Sequence, residues 1–357
     1  MADREHSRAR GEEQVLQLPL FGGEQAARLV GEMPMPTQAS NLRHANTWFG
    51  LHLASLKYSP NTIESYTTSV ELLARLLGDS YALEGIGAKQ LQCFLHWLAE
   101  RDGKAPVKTL ALRVTGLRKF FETLVARGVL GSNPAEDLYA PLGEVPLPEV
   151  LTPVEEARLR ELAWSTYHSQ RHPDPRPLFL TMLTLDLGLR RGELETLTRS
   201  QVEIGQPQVT IRIHYRERRH RYKNRTLPTP PQFREVYRDY LHQYPPAAEN
   251  RPADFPRIDD KVLTASRRTL HRVVERLGAK IGAAARVTPM VMRWTRALHW
   301  YNELPPQEVQ RLLGLSPIGW QDAERVLQAL RQRQEQARAS SVPDALGGEP
   351  YCGFSWC

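Results

Sequence analysis

The chain has 357 residues, 41% of them apolar and 24% charged, and its 47 lysines and arginines exceed 40 acidic residues for a net charge of +7 and an isoelectric point near 9.4. That length accommodates two domains with cores of their own, and the excess of cations favours a polyanionic partner. Cys93, Cys352 and Cys357 are too few for a disulfide framework and lack zinc-site spacing, the N-terminus has no signal-peptide core, and no stretch approaches the ~20 apolar residues of a membrane span, so a reducing cytosol is expected, with no membrane, metal or cofactor.

Residues 1–40 mix charge with glycine and proline, broken only by a short helical stretch around Glu24 to Met33, and are expected to form a mobile arm. A four-helix module is predicted over 41–140. Its first helix carries Leu42, Ala45, Phe49, Leu53 and Leu56 at helical spacing. The second opens at Ser59-Pro60-Asn61-Thr62, with a serine cap and proline in the first turn, and stops at Gly78. Two more amphipathic stretches cover 88–100 and 108–126, and Gly128 and Ser132-Asn133-Pro134 punctuate the end. The proline-rich segment 141–150 reads as an extended linker.

The second domain, over 151–336, reads as a helix at 153–163, a buried helix at 177–187 and a short helix at 192–197. Strands follow around 201–204 and 209–215, then a basic turn, a return strand ending Thr226-Leu227-Pro228, and four or five helices. Residues 337–357 read as a tail. The fold class is mainly α with a small antiparallel β-sheet.

Arg190 lies behind a nearly continuous apolar run at a predicted helix start, where backbone amides and a guanidinium fork together suit a phosphate. Taken alone, it would pair with Glu193 or with solvent. Arg293, after Thr288-Pro289 in another helix, taken alone is an ordinary surface or ion-paired arginine. The turn Arg216-Glu217-Arg218-Arg219-His220-Arg221-Tyr222-Lys223-Asn224-Arg225 is the densest positive patch in the chain, as a solvated loop or as a phosphate contact.

Several motifs resemble, in wording and order, those of the tyrosine recombinase (phage integrase) family, of the XerC/XerD kind. They are Ser59, Thr62 and Tyr66 in one helix, Asn133-Pro134-Ala135, and Leu151-Thr152-Pro153-Val154-Glu155. Gly188-Leu189-Arg190-Arg191-Gly192-Glu193-Leu194 and Lys223-Asn224-Arg225-Thr226-Leu227-Pro228 follow, then Thr288 to Trp294 and Val309-Gln310-Arg311-Leu312-Leu313-Gly314-Leu315-Ser316. The resemblance spans about residues 41 to 330. It implies a SAM-like core-binding domain followed by a catalytic-type domain, together forming a C-shaped clamp about double-stranded DNA or a DNA junction. It also implies a bacterial, cytoplasmic and nucleoid-associated protein, with homo-oligomers assembling on DNA through the C-terminal segment.

Carried over position by position, the resemblance keeps the two phosphate-stabilising arginines, Arg190 and Arg293. The family's two histidines become Met290 and Leu315, which cannot transfer protons. His220 falls where the family has its acid lysine, and its ordinary pKa of ~6.5 suits that exchange. The nucleophile position holds Glu324 in place of tyrosine. A carboxylate is repelled by a phosphodiester, so Glu324 is expected either to pair with Arg190 and Arg293 or to face water beside Arg325 or Gln328. DNA contacts are expected from Arg216, Arg218, Arg219, Arg221, Lys223 and Arg225, and from Lys104, Lys108, Arg113 and Arg118 of the first module.

A DNA-binding, catalytically degenerate member is therefore expected. An active recombinase using Tyr351 or a nucleophile supplied in trans is the alternative, and a protein-interaction relic that binds no DNA is a third reading.

Overall fold

The computed structural model describes residues 23–101, 106–140, 143, 145–215, 217–245 and 261–340, and the side chains of 23, 24, 219, 338 and 340 are not described. The chain divides into two compact units, Met1–Pro146 and Leu147–Cys357. Among the described residues, no helix is long and apolar enough to cross a membrane.

The first unit is built from α1 (Gly23–Glu32), α2 (Leu42–Ser55), α3 (Pro60–Leu77), α4 (Ala88–Arg101) and α5 (Val107–Ala126). The start of α3 follows its sequence signal: the Ser59 side chain accepts from the Thr62 amide, Pro60 occupies the first turn, and Gly78 caps the other end at φ 101°. Phe49, Leu73, Phe94, Leu117, Phe120 and Phe121 meet in one core, with Phe120 set edge-on to Phe49 and Phe121. The arm expected over 1–40 extends too far toward the core. From Gly23 the chain is helical, and Ala26 is fully buried because its methyl fits against the α2 side of the core, with Val30 and Met33 packed beside it. Lys104 lies outside the described residues.

In the second unit, α6 (Pro153–Tyr167) opens with a capping box. Thr152 accepts from the Glu155 amide, and the Glu155 carboxylate accepts from the Thr152 amide in return. The buried helix expected over 177–187 is α7 (Pro175–Thr181), which runs into a π-helical turn at Met182–Asp186. Next come α8 (Arg191–Thr196) and a three-stranded antiparallel sheet of β1 (Val202–Ile204), β2 (Val209–Ile213) and β3 (Arg225–Pro228) in the order β1-β2-β3. Ile211 faces Leu227 and Ile213 faces Arg225 across the β2–β3 pair. The basic turn is a 3-10 helix at Arg218–Lys223.

Five helices complete the unit: α9 (Phe233–Gln243), α10 (Arg267–Lys280), α11 (Pro289–Glu303), α12 (Pro306–Leu313) and α13 (Pro317–Ser340). α11 packs on the π-helical turn and on α13, so the fold brings the loop before α8 close to the segment that joins α12 to α13. α13 runs to Ser340, beyond the expected tail boundary at 336, and Trp320, Ala323, Leu327 and Leu330 bury one face of its first part.

A close approach between α3 and α5 depends on Gly116. A Cβ placed there would lie 2.5 Å from Ser69 Oγ and 2.9 Å from Ser69 Cβ. Gly116→Val is expected to destabilise the first unit by about 1–3 kcal/mol through overpacking, read as a lowered unfolding midpoint in urea.

Candidate functional site

Two turns and a strand end meet in the second unit. The chain leaves the π-helical turn through Gly188, at φ 58°, where the ring of Trp300 would crowd any Cβ to 3.1 Å. It then reaches Arg190, the extended residue that begins α8. On the facing side, Gly314 caps α12 in the left-handed region at φ 60°. Its missing side chain is required twice over, since a Cβ there would sit 3.0 Å from Arg225 Nη1 and 3.2 Å from Arg190 Nη1.

Three guanidinium groups gather around one carboxylate. Glu193 is buried. Its two oxygens accept from Arg225 Nη1 at 2.8 Å and Nη2 at 2.7 Å, the bidentate geometry that makes such pairs strong. The same carboxylate accepts from Arg190 Nη1 at 3.0 Å, from the Arg190 amide at 2.8 Å and from the Tyr215 hydroxyl at 3.0 Å. Burial alone would raise the Glu193 carboxyl, but the Arg225 hydrogen bonds and the Arg225, Arg190 and Arg293 charges hold it down at about 2. Burial and the Glu193 charge push the Tyr215 phenol up to about 12.

Arg190 and Arg293 reach adjacent carbonyls. Arg190 Nη2 donates to Gly314 O at 2.6 Å and Arg293 Nη2 to Leu313 O at 2.8 Å, while Arg293 Nη1 donates to Gly188 O. Their exposure differs: the Arg190 side chain is 24% exposed, whereas Arg293 is only 7% exposed. Burial, reinforced by the charges of Arg190 and Arg225 and opposed by that of Glu193, pushes the Arg293 guanidinium down to about 9. It still carries its charge at neutral pH.

His220, in the 3-10 turn, stands edge-on to the Tyr215 ring at 5.9 Å with Nδ1 3.5 Å from Glu217. It lines a cavity of about 260 Å³ together with Glu193, Tyr215 and His214, so the turn delivers an imidazole to the border of the arginine cluster. Met290 is 53% exposed in the first turn of α11, and Leu315 is half-buried against the core.

Two expectations need correction. Arg225 does not present its charge to a partner: its side chain is 0% exposed, with both terminal nitrogens bonded to Glu193 and Nη1 also to Lys223 O. The signal for this lies in the strand, because Arg225-Thr226-Leu227-Pro228 alternates inward and outward and puts Arg225 on the face of Leu227. Glu324 does not pair with Arg190 or Arg293 among the described contacts. Arg190 is bonded to Glu193 and Gly314 O and Arg293 to Gly188 O and Leu313 O, while Glu324 sits half-buried beside the apolar stripe of α13.

The other candidate cations are spread more widely. Arg218 and Arg221 are exposed, and Lys223 lies over the rings of Tyr215 and Tyr222 at 5.1 and 5.5 Å. Arg216 and the Arg219 side chain lie outside the described residues. In the first unit, Lys108 is exposed, Arg113 donates to Ser65 O at 3.1 Å, and Arg118 donates to Ala135 O at 3.2 Å and Leu138 O at 2.6 Å. Sequence reasoning did not single out Tyr215 or Gly314, and it treated Glu193 only as a partner for Arg190. The three-residue spacing from Arg190 to Glu193, which lets a carboxylate reach back to a helix-start amide, was the available signal.

The phage integrase family model matches residues 162–324, and the model of the phage integrase N-terminal SAM-like domain matches residues 49–128. With both units matched in order, over well more than half of its length, the chain belongs to the phage integrase, or tyrosine recombinase, family. A relative is tyrosine recombinase XerD of Brucella melitensis, 28% identical over 275 residues that cover 72% of this chain and 84% of the relative. Tyrosine recombinase XerC of Roseiflexus castenholzii is 30% identical over 161 residues, covering 44% of this chain and 50% of its own length. Among solved structures, a lambda integrase dimer bound to a COC' core site aligns with TM-score 0.59 at 18% identity, over 83% of this chain and 79% of that one. The Tn1549 transposon integrase in complex with a circular intermediate DNA aligns with TM-score 0.60 at 14% identity, over 83% and 99%. Both share the fold: mostly helical, with a small antiparallel sheet.

Glu193→Gln is expected to destabilise the second unit by about 3–5 kcal/mol at pH 7, since it leaves buried guanidinium groups without their anion. The pH dependence has a definite sign. A carboxyl held at about 2 adds stability that is complete above its ordinary value near 4.5 and is lost as pH falls toward 2. Urea unfolding at pH 6 and pH 3 should therefore show the gap between wild type and variant closing by about 2 kcal/mol as acid is added.

Proposed function

We propose that this chain is a DNA-binding tyrosine recombinase homologue that grips phosphodiester oxygens with Arg190 and Arg293 and has lost the tyrosine nucleophile, with Glu324 at that position. One observation carries the reading: three guanidinium groups converge on a single bonded carboxylate. Two positive charges are thus left over in a largely buried site, where an anion with several acceptor oxygens is strongly favoured. Arg190, the more exposed of the pair, makes the first contact, and Arg293 adds its charge from beneath.

The chemical partners of a strand transfer are missing from the same face. Met290 and Leu315 hold no transferable proton, and the Glu324 carboxylate is repelled by the phosphate that the arginines attract. Tyr215 is the described tyrosine bonded into the cluster, yet its hydroxyl is committed to Glu193 and its phenol is pushed up to about 12, which makes it a poor nucleophile. His220 is left at the border of a site with nothing for it to assist.

The proposed DNA contacts outside the cluster come from Arg216, Arg218, Arg219, Arg221 and Lys223 of the turn and from Lys104, Lys108, Arg113 and Arg118 of a core-binding module over 41–140, with the catalytic-type domain over 151–336. The DNA-bound state of the lambda and Tn1549 integrases supports a duplex or junction as the partner, and the bacterial source of the XerD relative supports the proposed bacterial, cytoplasmic setting. Assembly of copies on DNA through the C-terminal segment belongs to the same proposal.

Fluorescence anisotropy with duplex and four-way-junction DNA across a salt series tests the reading. Wild type is expected to bind with log K falling linearly in log salt, and Arg190→Ala or Arg218→Gln/Arg221→Gln to bind at least roughly tenfold more weakly at moderate salt. Absence of wild-type binding at 50–100 mM salt, roughly the range in which phosphate contacts are strong, overturns the clamp. Trapping on nicked duplex is expected to yield no covalent adduct. An adduct would overturn the loss of the nucleophile, and its survival or disappearance in Tyr351→Phe would show whether Tyr351 supplies it.

A further inference from the structure

Of residues 177–189, Asp186 alone carries a charge. It ends the π-helical turn, two residues before Gly188, whose carbonyl accepts from Arg293, and four before Arg190. Its side chain is only 17% exposed, and an acid set this deeply in an apolar segment needs partners.

Those partners come from two helices. Arg160 of α6 places Nη1 2.6 Å from Asp186 Oδ1, while its Nε and Nη2 donate to Glu156 Oε1 at 3.1 and 2.9 Å. Glu156 Oε2 lies in turn 3.2 Å from His299 Nε2 on α11. From the other side, Arg296 of α11 faces the same turn. A Cβ on Gly188 would stand 3.7 Å from Arg296 Cγ, the guanidinium lies over the Trp300 ring at 4.9 Å, and Asp186 is the acid that acts on it most strongly. The chain of charges therefore starts and ends on α11, the helix that carries Arg293, and passes through the turn that leads to Gly188 and Arg190.

Backbone bonding leaves this stretch in need of a tether. The Leu187 amide reaches back five residues to Met182 O and the Leu189 amide six to Leu183 O, wider spacings than an α-helix provides. Apolar residues of similar volume often replace a buried ion pair with no loss of stability, so stability alone does not call for one here. A pair fixed to a neighbouring helix does set where the turn stands.

We infer that Asp186 is a positioning residue: tethered to Arg160 and faced by Arg296, it holds the Gly188 carbonyl against Arg293 and thereby sets the Arg190–Arg293 spacing on which phosphate binding depends. Its effect on DNA rests on the DNA-binding reading above and runs opposite to simple electrostatics, because removing an acid from a DNA-binding protein strengthens the general attraction for phosphate.

Full-length Asp186→Asn, Arg160→Met and the double variant are to be compared with wild type and with Arg158→Gln, which removes an exposed cation of the same helix. Anisotropy on one duplex, well below each unfolding midpoint, is expected to show Asp186→Asn binding roughly tenfold more weakly despite its extra positive charge, the scale of one charged hydrogen bond. Arg160→Met is expected to weaken binding similarly, the double variant to lose no more than the larger single loss, and Arg158→Gln to stay within about twofold of wild type. Arginine side-chain NMR without DNA, assigned with Arg293→Lys, gives a readout that a general loss of stability does not move. The Arg293 Nε signal is expected to shift in Asp186→Asn, while that of Arg225, bonded to Glu193, stays. If Asp186→Asn does not fold, Arg160→Met against Arg158→Gln carries both comparisons. Unchanged or tighter binding by Asp186→Asn, or an unmoved Arg293 signal, overturns the inference while sparing the clamp, and failure of wild type to bind sinks both.

Discussion

The second unit depends on one shared anion. Glu193 is the group that allows Arg190, Arg225 and Tyr215 to meet in a space from which water is largely excluded, and its charge also acts on Arg293. Burying even one unpaired ion costs several kcal/mol, so three guanidinium groups could not be brought this close without a carboxylate among them. Arg225 is the partner that fixes that carboxylate. Its two parallel bonds hold Glu193 in one orientation and leave the Arg190 guanidinium with a single bond to the carboxylate and a second to a backbone carbonyl. A guanidinium held this way keeps donors free for a further acceptor. Had Glu193 instead engaged Arg190 bidentately, the cluster would be equally neutralised and of much less use to a phosphate.

Backbone groups do the remaining work, which explains why glycine stands at two of the three corners. Carbonyls of Gly188, Leu313 and Gly314 accept from Arg293 and Arg190, and each can approach only because its segment turns sharply. Gly188 and Gly314 both adopt positive φ, and both lie against side chains that leave no room for a Cβ. Loop, helix cap and strand end are thereby locked to one another through polar contacts, while the apolar support comes from α11, whose Met292, Ala297 and Leu298 are buried under the site.

Much of this was legible in the sequence where the signals are short-range. The Ser59-Pro60 start of α3, the Thr152…Glu155 box of α6 and the Thr288-Pro289 start of α11 each follow from chemistry within four residues. The arginine pair was legible through the order of family motifs. Harder to read was where charge ends up once a strand chooses its faces. Arg225 belongs by sequence to a basic turn and by pleat to the core, and counting cations in the turn missed the second fact. The expected pairing of Glu324 failed for a related reason: a carboxylate three residues from Arg190 reaches it at far lower entropic cost than one that must be brought across the fold.

Retained and missing groups divide by what they do. Binding a phosphate asks for fixed positive charge and donors that need not change state, and Arg190, Arg293 and their supports supply that. Moving a strand asks for a nucleophile and for groups that gain and lose protons, and on the proposed reading Met290, Leu315 and Glu324 stand in their places. Drift alone would be expected to damage both sets, and the first set is the costlier to keep, since it buries Arg225 and Arg293, half-buries Arg190 and constrains two glycines. On the proposed reading the division is coherent: phosphate affinity is an equilibrium property that survives the loss of every proton-transfer group. The same division makes Glu324 more than a missing tyrosine. On that reading the Glu324 charge opposes a bound phosphate less the farther it stands from it and the more it is screened, and Glu324 is half-buried on α13, unpaired with either clamp arginine among the described contacts.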